Sequence, residues 1–215
     1  MQTAIIIGVG PGLGIAIAEA FGHAGLHVAL MSRSEKNLRL FSEEFTDKGI
    51  AHSVHAVDVS DFSALRQELR RIAQQQAVEV LVYNVVKRVF NTPLELDVEQ
   101  MVEAYRIDVA AALLSVQTLQ PFMEEREGGT ILFTGSGAAL HPWTEAPTIS
   151  IAKAGIRSLA YMLADEMSES PLRVGTVTIF GMIKQGTDFD PAKIAAAYVQ
   201  HWQNGVPEVE LQYKG

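Results

Sequence analysis

The stretch that most constrains this chain is Ile5-Ile6-Ile7-Gly8-Val9-Gly10-Pro11-Gly12-Leu13-Gly14. An apolar β-branched run stops at a cluster of glycines, and an alanine-rich helical pattern from Ile15 to Phe21 follows at once. Strand, glycine turn and helix in that order point free backbone N–H groups and a helix N-terminus at a phosphate. Gly8 permits the tight turn, Gly12 lets the backbone approach a pyrophosphate, and Gly14 lets helix and strand pack closely. The same pattern also occurs as an ordinary strand-to-helix turn in other α/β domains, so the rest of the chain has to decide.

A length of 215 residues suits one domain, residues 1–215, with a single sizeable core. Hydrophobic content of 48% and charged content of 20% are ordinary for a globular protein in water. A net charge of −8 with no basic stripe argues against a nucleic-acid or anionic-membrane partner. There is no cysteine, which excludes disulfides and thiolate chemistry and is compatible with a reducing compartment. The chain opens on a strand pattern with no basic leader, and no apolar run approaches a membrane span. A soluble cytoplasmic protein is expected.

Beyond the opening turn, the spacing predicts strands over Leu26–Met31, Ser53–Val59, Val78–Tyr83, Gly129–Phe133, Arg173–Phe180 and Val209–Tyr213. Helical patterns over Glu35–Lys48, Phe62–Gln75, Asp97–Met123, Pro147–Met167 and Pro191–Trp202 alternate with them. That alternation, with most strands fully apolar, predicts a doubly wound, Rossmann-like α/β fold. It is a three-layer sandwich with a mostly parallel sheet of about seven strands. Ligands in such a sheet bind beyond the carboxyl ends of the strands. Those ends are Gly8–Gly14, Ser32–Arg33, Asp58–Val59, Asn84–Val86, Gly135–Ser136 and Phe180–Met182, and one cleft should gather all six.

Arg33 stands where a protein preferring NAD would usually carry an acidic residue for the ribose hydroxyls. Arginine instead accommodates a 2′-phosphate bidentately, with Ser32 as neighbour, so NADP(H) is expected over NAD(H). The order Gly8-xxx-Gly12-x-Gly14, Asp58-Val59, Asn84, Ser136 and Lys153 resembles the short-chain dehydrogenase/reductase superfamily over nearly the whole chain. Asp190-Pro191-Ala192-Lys193-Ile194-Ala195, with Glu208 to Tyr213, is similar to a divergent bacterial branch. The resemblance implies that Gly8, Gly10, Pro11, Gly12, Leu13 and Gly14 surround the pyrophosphate and that Asp58, beside Val59, contacts the adenine. It implies that Asn84 shapes the cofactor pocket, with Gly181 beyond the sixth strand. Ser136 would position a substrate carbonyl, and Lys153 would hold the nicotinamide ribose and lower the pKa of a catalytic tyrosine.

That tyrosine belongs four residues before the lysine, and the position is Ile149. Isoleucine has no proton to give or take, so the usual acid/base partner of carbonyl reduction is absent. The family's asparagine in the long fourth helix, part of its proton relay, corresponds to Asp108. Its proline-glycine after the sixth strand corresponds to Phe180-Gly181, and Val85-Val86 replaces alanine-glycine after Asn84. Losing a positioned general acid costs on the order of 10²–10⁴ in rate. Three readings stay open: an oxidoreductase protonating its substrate through His141, Tyr83, Ser150 or a water held by Ser136 and Lys153; a non-catalytic NADP(H)-binding sensor or silent subunit; or a non-redox enzyme on the same fold. The first is the expectation, and reduction of a carbon–carbon double bond would suit it better than carbonyl reduction.

Other residues have plainer readings. His52 and His55 lie three apart on a strand and face opposite sides, so no metal site is expected. His23, His27 and His201 look structural, Asp165, Glu166 and Glu169 solvated, and Tyr83 either core or a wall of the nicotinamide pocket. The pocket walls Val85, Val86, Phe90, Trp143, Ile149, Phe180 and Met182 are apolar, which suits a small apolar substrate or ligand. The segment after Gly181 is short for the superfamily's substrate lid. Association as a homodimer or tetramer is expected through Ala110–Leu114 and Ile156–Leu163.

Overall fold

The computed structural model describes residues 1–126 and 128–215. Its strands are β1 (Gln2–Ile7), β2 (His27–Ser32), β3 (His52–Ala56), β4 (Ala77–Tyr83), β5 (Gly129–Ser136), β6 (Leu172–Ile179) and β7 (Glu210–Tyr213). The helices between them are α1 (Leu13–His23), α2 (Glu35–Asp47), α3 (Phe62–Gln75), α4 (Val98–Tyr105), α5 (Ala111–Glu124), α6 (Pro147–Glu166) and α7 (Pro191–Gln203). One sheet runs in the order β3-β2-β1-β4-β5-β6-β7, and its pairings are all parallel. Helices cover both faces, which is the doubly wound three-layer sandwich that the alternation predicts.

The opening run shows why the strands read as unbroken apolar stretches. Successive side chains of a strand point to opposite faces, and here both faces are buried. Ile5 and Ile7 join the core under α3, α5 and α6, with Leu69, Leu119 and Ile156. Ala4 and Ile6 join the core under α1, α2 and α7, with Phe21, Phe45 and Tyr198. Helix starts follow from side-chain caps: Ser34, Asp61, Asp97 and Asp190 each accept a first-turn backbone N–H. Among the described residues no helix is long and apolar enough to cross a membrane.

Beyond α1, three elements differ from the sequence reading by more than a residue at an end. The Asp97–Met123 stretch is one helical path, but a π turn over Arg106–Ala110 separates α4 from α5. β5 continues to Ser136 because its end pairs with β6, Ser136 opposite Ile179. β3 stops at Ala56, and shortly beyond it the Asp58 carboxylate accepts both the N–H and the hydroxyl of Ser60, which opens a turn. The stretches expected to mediate association are largely spent inside the chain: Ala111, Ala112, Leu114, Ile156, Leu159 and Leu163 belong to the core. The exposed apolar residues of α4 and α6 are Val98, Val102, Tyr105, Ile151, Tyr161 and Met162.

The strand histidines meet opposite helices. His52 bonds Ser42 Oγ of α2 at 2.8 Å, whereas buried His55 lies between Ser53 Oγ at 2.7 Å and Glu68 Oε1 of α3 at 2.6 Å. On the other side of the sheet, α1 and α7 lock together through Phe21 and Trp202, whose ring centroids are 5.6 Å apart. Phe21 is fully buried. Its replacement by alanine should therefore cost about 3–5 kcal/mol, read as a lower urea midpoint; an unchanged midpoint would contradict this packing.

Candidate cofactor and active site

Strand order reverses between β1 and β4, and the crevice at that switch point is where the glycine turn meets Asn84. Gly8 has φ +93°, and a Cβ there would lie 2.8 Å from the Asn84 carbonyl carbon. A Cβ on Gly14 would lie 2.5 Å from the Gly8 carbonyl oxygen, so side chains at either position would force the turn apart. Asn84 fastens the turn from the other side. Its backbone N–H donates to Ile7 O at 2.8 Å, and its side-chain amide donates to Gly8 O at 3.1 Å.

From Asn84 the network crosses the sheet. Thr134 Oγ1 donates to Asn84 Oδ1 at 2.8 Å and accepts from the hydroxyl of Tyr198 on α7, also at 2.8 Å. The Thr134 carbonyl has a separate duty, accepting from Lys153 Nζ at 2.7 Å. One β5 residue thus joins the turn network by its hydroxyl and the lysine by its carbonyl.

The turn itself is open toward the crevice. Among the described residues no side chain caps α1, whose N-cap is Gly12, and a Cβ built on Gly10 or Gly12 would meet nothing within 4 Å. Uncapped first-turn N–H groups beside open space suit a pyrophosphate. Ser32 ends β2 and exposed Arg33 follows it, and exposed Asp58 with buried Val59 follows β3. The two hydrogen bonds from Ser60, with the charges of Arg33 and Lys87, hold the Asp58 carboxyl below its ordinary range.

At the other end of the crevice, Lys153 is buried, and desolvation pushes its pKa down to about 8 against the pull of Asp108. Ile149, one turn earlier on α6, is also buried and packs in a small cluster with Ala138, Ala146 and Val86. Ser136 ends β5 partly exposed, its Oγ accepting the Ala138 N–H at 3.2 Å. His141 is exposed on the following loop. Gly181 lies under the Phe189 ring, and the segment from Phe180 to Asp190 is folded back onto β7. Phe180 N–H donates to Tyr213 O at 2.9 Å and Tyr213 Oη to Asp188 O at 2.7 Å.

Asp108 sits in the π turn with 1% of its surface exposed. Its Oδ1 accepts the Lys87 N–H at 2.7 Å, while Oδ2 has no hydrogen-bond partner among the described residues. Desolvation raises this carboxyl to about 7 even though Lys153 and Lys87 pull it down. Two buried ionisable groups of opposite sign therefore share this end of the site.

The family model described as short chain dehydrogenase matches residues 2–193. The chain belongs to that family. It is 29% identical over 181 residues to the probable galactose dehydrogenase GalD of Rhizobium meliloti, covering 83% of this chain and 70% of that protein. It is 28% identical over 178 residues to the human inactive hydroxysteroid dehydrogenase-like protein 1, covering 77% of this chain and 52% of that one. The chain thus spans about half the length of that second relative. In fold it matches a metagenomic short-chain oxidoreductase solved in complex with NADP, at TM-score 0.89, 23% identity and 98% and 96% coverage of the two chains. A short-chain dehydrogenase from Rhodopseudomonas palustris matches at TM-score 0.89, 24% identity and 100% and 98% coverage.

In this chain, the glycine turn, Asn84 and Lys153 are joined by direct hydrogen bonds through Thr134, whereas His141 and Gly181 lie outside that network. Sequence reasoning noted Asp108 only as a departure from the family. Its signal was a lone carboxylate inside the apolar run Ile107 to Leu114. The pair leaves a pH signature. Asp108 keeps its proton in the fold up to about pH 7 but loses it near 3.8 when unfolded, so its contribution to stability falls as pH rises between those values. Lys153 is charged in the unfolded chain to about 10.5 but in the fold only to about 8, so its contribution recovers above pH 8. The stability of Asp108→Asn relative to the parent, measured by urea midpoints, should therefore rise steadily from pH 4 to 7. A difference that stays flat would disprove the shift.

Proposed function

We propose that this chain is an NADP(H)-dependent oxidoreductase of the short-chain dehydrogenase type that works without a tyrosine acid. The observation carrying this reading is the continuous network from the open glycine turn through Asn84 and Thr134 to buried Lys153. In this reading Gly8, Gly10, Pro11, Gly12, Leu13 and Gly14 hold the pyrophosphate, and Ser32 and Arg33 take the 2′-phosphate. Asp58 and Val59 border the adenine, while Asn84, Lys153 and Gly181 border the nicotinamide half. When bound, the cofactor supplies a hydride. The NADP of the metagenomic neighbour supports the choice of cofactor.

Ser136 donates to and orients the substrate oxygen, and Lys153 adds positive charge beneath it. His141 is placed on the loop beyond and would act from solvent. Phe90, Trp143 and Met182, on the loops after β4, β5 and β6, are exposed apolar side chains. They suit a small apolar substrate. The exposed apolar residues of α4 and α6 are read as the face through which two copies associate.

A second reading, a silent NADP(H)-binding subunit, is favoured by Ile149 packing in a small apolar cluster with Ala138, Ala146 and Val86, and one relative at 28% identity is itself named inactive. Fluorescence titrations separate the readings. NADPH should bind in the micromolar range and more tightly than NADH, and Arg33→Ala should weaken NADPH by about 10- to 100-fold, the worth of a charge-assisted contact, with little change for NADH. Failure to bind either nucleotide refutes both readings. Binding without oxidation against a panel of carbonyls and enones decides for the silent subunit.

A further inference from the structure

We propose that Asp108 is the acid of this site, its carboxyl holding the proton that the reacting oxygen takes up in place of any group at position 149. The inference rests on the oxidoreductase reading above. The other candidate donors are committed or remote. Tyr83 is buried and its hydroxyl donates to Ile107 O at 2.5 Å, while burial raises its pKa well above the ordinary value. Ser150 Oγ is engaged by the Trp143 N–H at 2.9 Å and by the Ala146 carbonyl at 3.3 Å. His141 is exposed to solvent. Lys153 Nζ is anchored on Thr134 O at 2.7 Å and serves in this reading as the positive charge beneath the substrate oxygen.

Asp108 differs from all of these. One oxygen is anchored on the Lys87 N–H and the other is buried with no hydrogen-bond partner among the described residues. A carboxyl held that way is a hydrogen-bond donor when protonated and has one direction in which to donate. Its place in a π turn is also telling, since an extra residue in a helix re-aims a side chain and such turns cluster at functional sites. The charged and titratable groups that act on this end of the site come from several elements: Lys153 on α6, Lys87 and Arg88 on the segment after β4, and Tyr83 on β4. Desolvation outweighs the lysines and keeps the proton on Asp108 to near neutrality. Lys153 then stabilises the carboxylate once the proton has left.

The step balances. The carbonyl carbon of the substrate gains a hydride from the reduced nicotinamide and forms a C–H bond. The C=O π pair moves to oxygen, which forms its O–H bond with the Asp108 proton. NADPH is oxidised, the carbonyl is reduced to an alcohol, and Asp108 is left as a carboxylate that regains a proton from solvent.

Carboxyl ¹³C NMR of the cofactor-free protein tests the first half. One aspartate should titrate near neutrality and be missing from Asp108→Asn, which keeps its fold and its NADPH affinity because asparagine can still accept the Lys87 N–H. NADPH oxidation by phenanthrenequinone, a generic carbonyl probe, tests the second. The rate should fall above about pH 7, drop roughly 100-fold and lose that fall near pH 7 in Asp108→Asn, and recover when Ile149→Tyr is added to that variant. An Asp108 that titrates near 4 like an ordinary carboxylate or an Asp108→Asn enzyme with the parental profile would each overturn the proposal alone, whereas a parent that binds NADPH yet reduces no carbonyl would overturn the oxidoreductase reading on which it rests. Failure to bind NADPH would overturn that reading too.

Discussion

The close approach of Gly8 to Asn84 is the constraint on which the site depends. β1 and β4 are neighbours across the switch point of the sheet, and their ends can come this near only because Gly8 and Gly14 carry no side chain. Nearness lets one asparagine amide tie the turn to Thr134, and Thr134 in turn ties it to Lys153 and Tyr198. The glycine turn and buried Lys153 are therefore parts of one hydrogen-bonded frame. A buried network of this kind is costly when a member is missing and rigid when complete.

Burial is balanced less comfortably around Lys153 and Asp108. Lys153 and Asp108 attract one another but are both desolvated, and burial moves each toward its neutral form. Removing ions from water can cost more than their mutual attraction returns. Such a pair is poor material for stability and good material for chemistry, because either group changes protonation for a small change in its surroundings.

Much of the architecture was legible in the residues because both faces of the sheet are covered. Ile5-Ile6-Ile7 reads as unbroken apolar sequence since alternate side chains serve two different cores. The π turn was not legible: one extra residue in a 27-residue helical stretch barely disturbs the apolar periodicity of Asp97–Met123. Apolar content alone could not separate core from interface either, so Ala111, Leu114 and Ile156 looked available for a partner when they were already used. The Thr134–Tyr198 contact joins residues 64 apart, and no local pattern announces such a pairing.

Ile149 lies outside both main cores, in a cluster with Ala138, Ala146 and Val86. Folding and chemistry are thereby uncoupled at this position. A change of side chain there meets Ala138, Ala146 and Val86 before it meets either main core, so the position works as a socket set apart from the strands and the glycine turn. A family that shares one frame can therefore drift in what it does far faster than in how it folds.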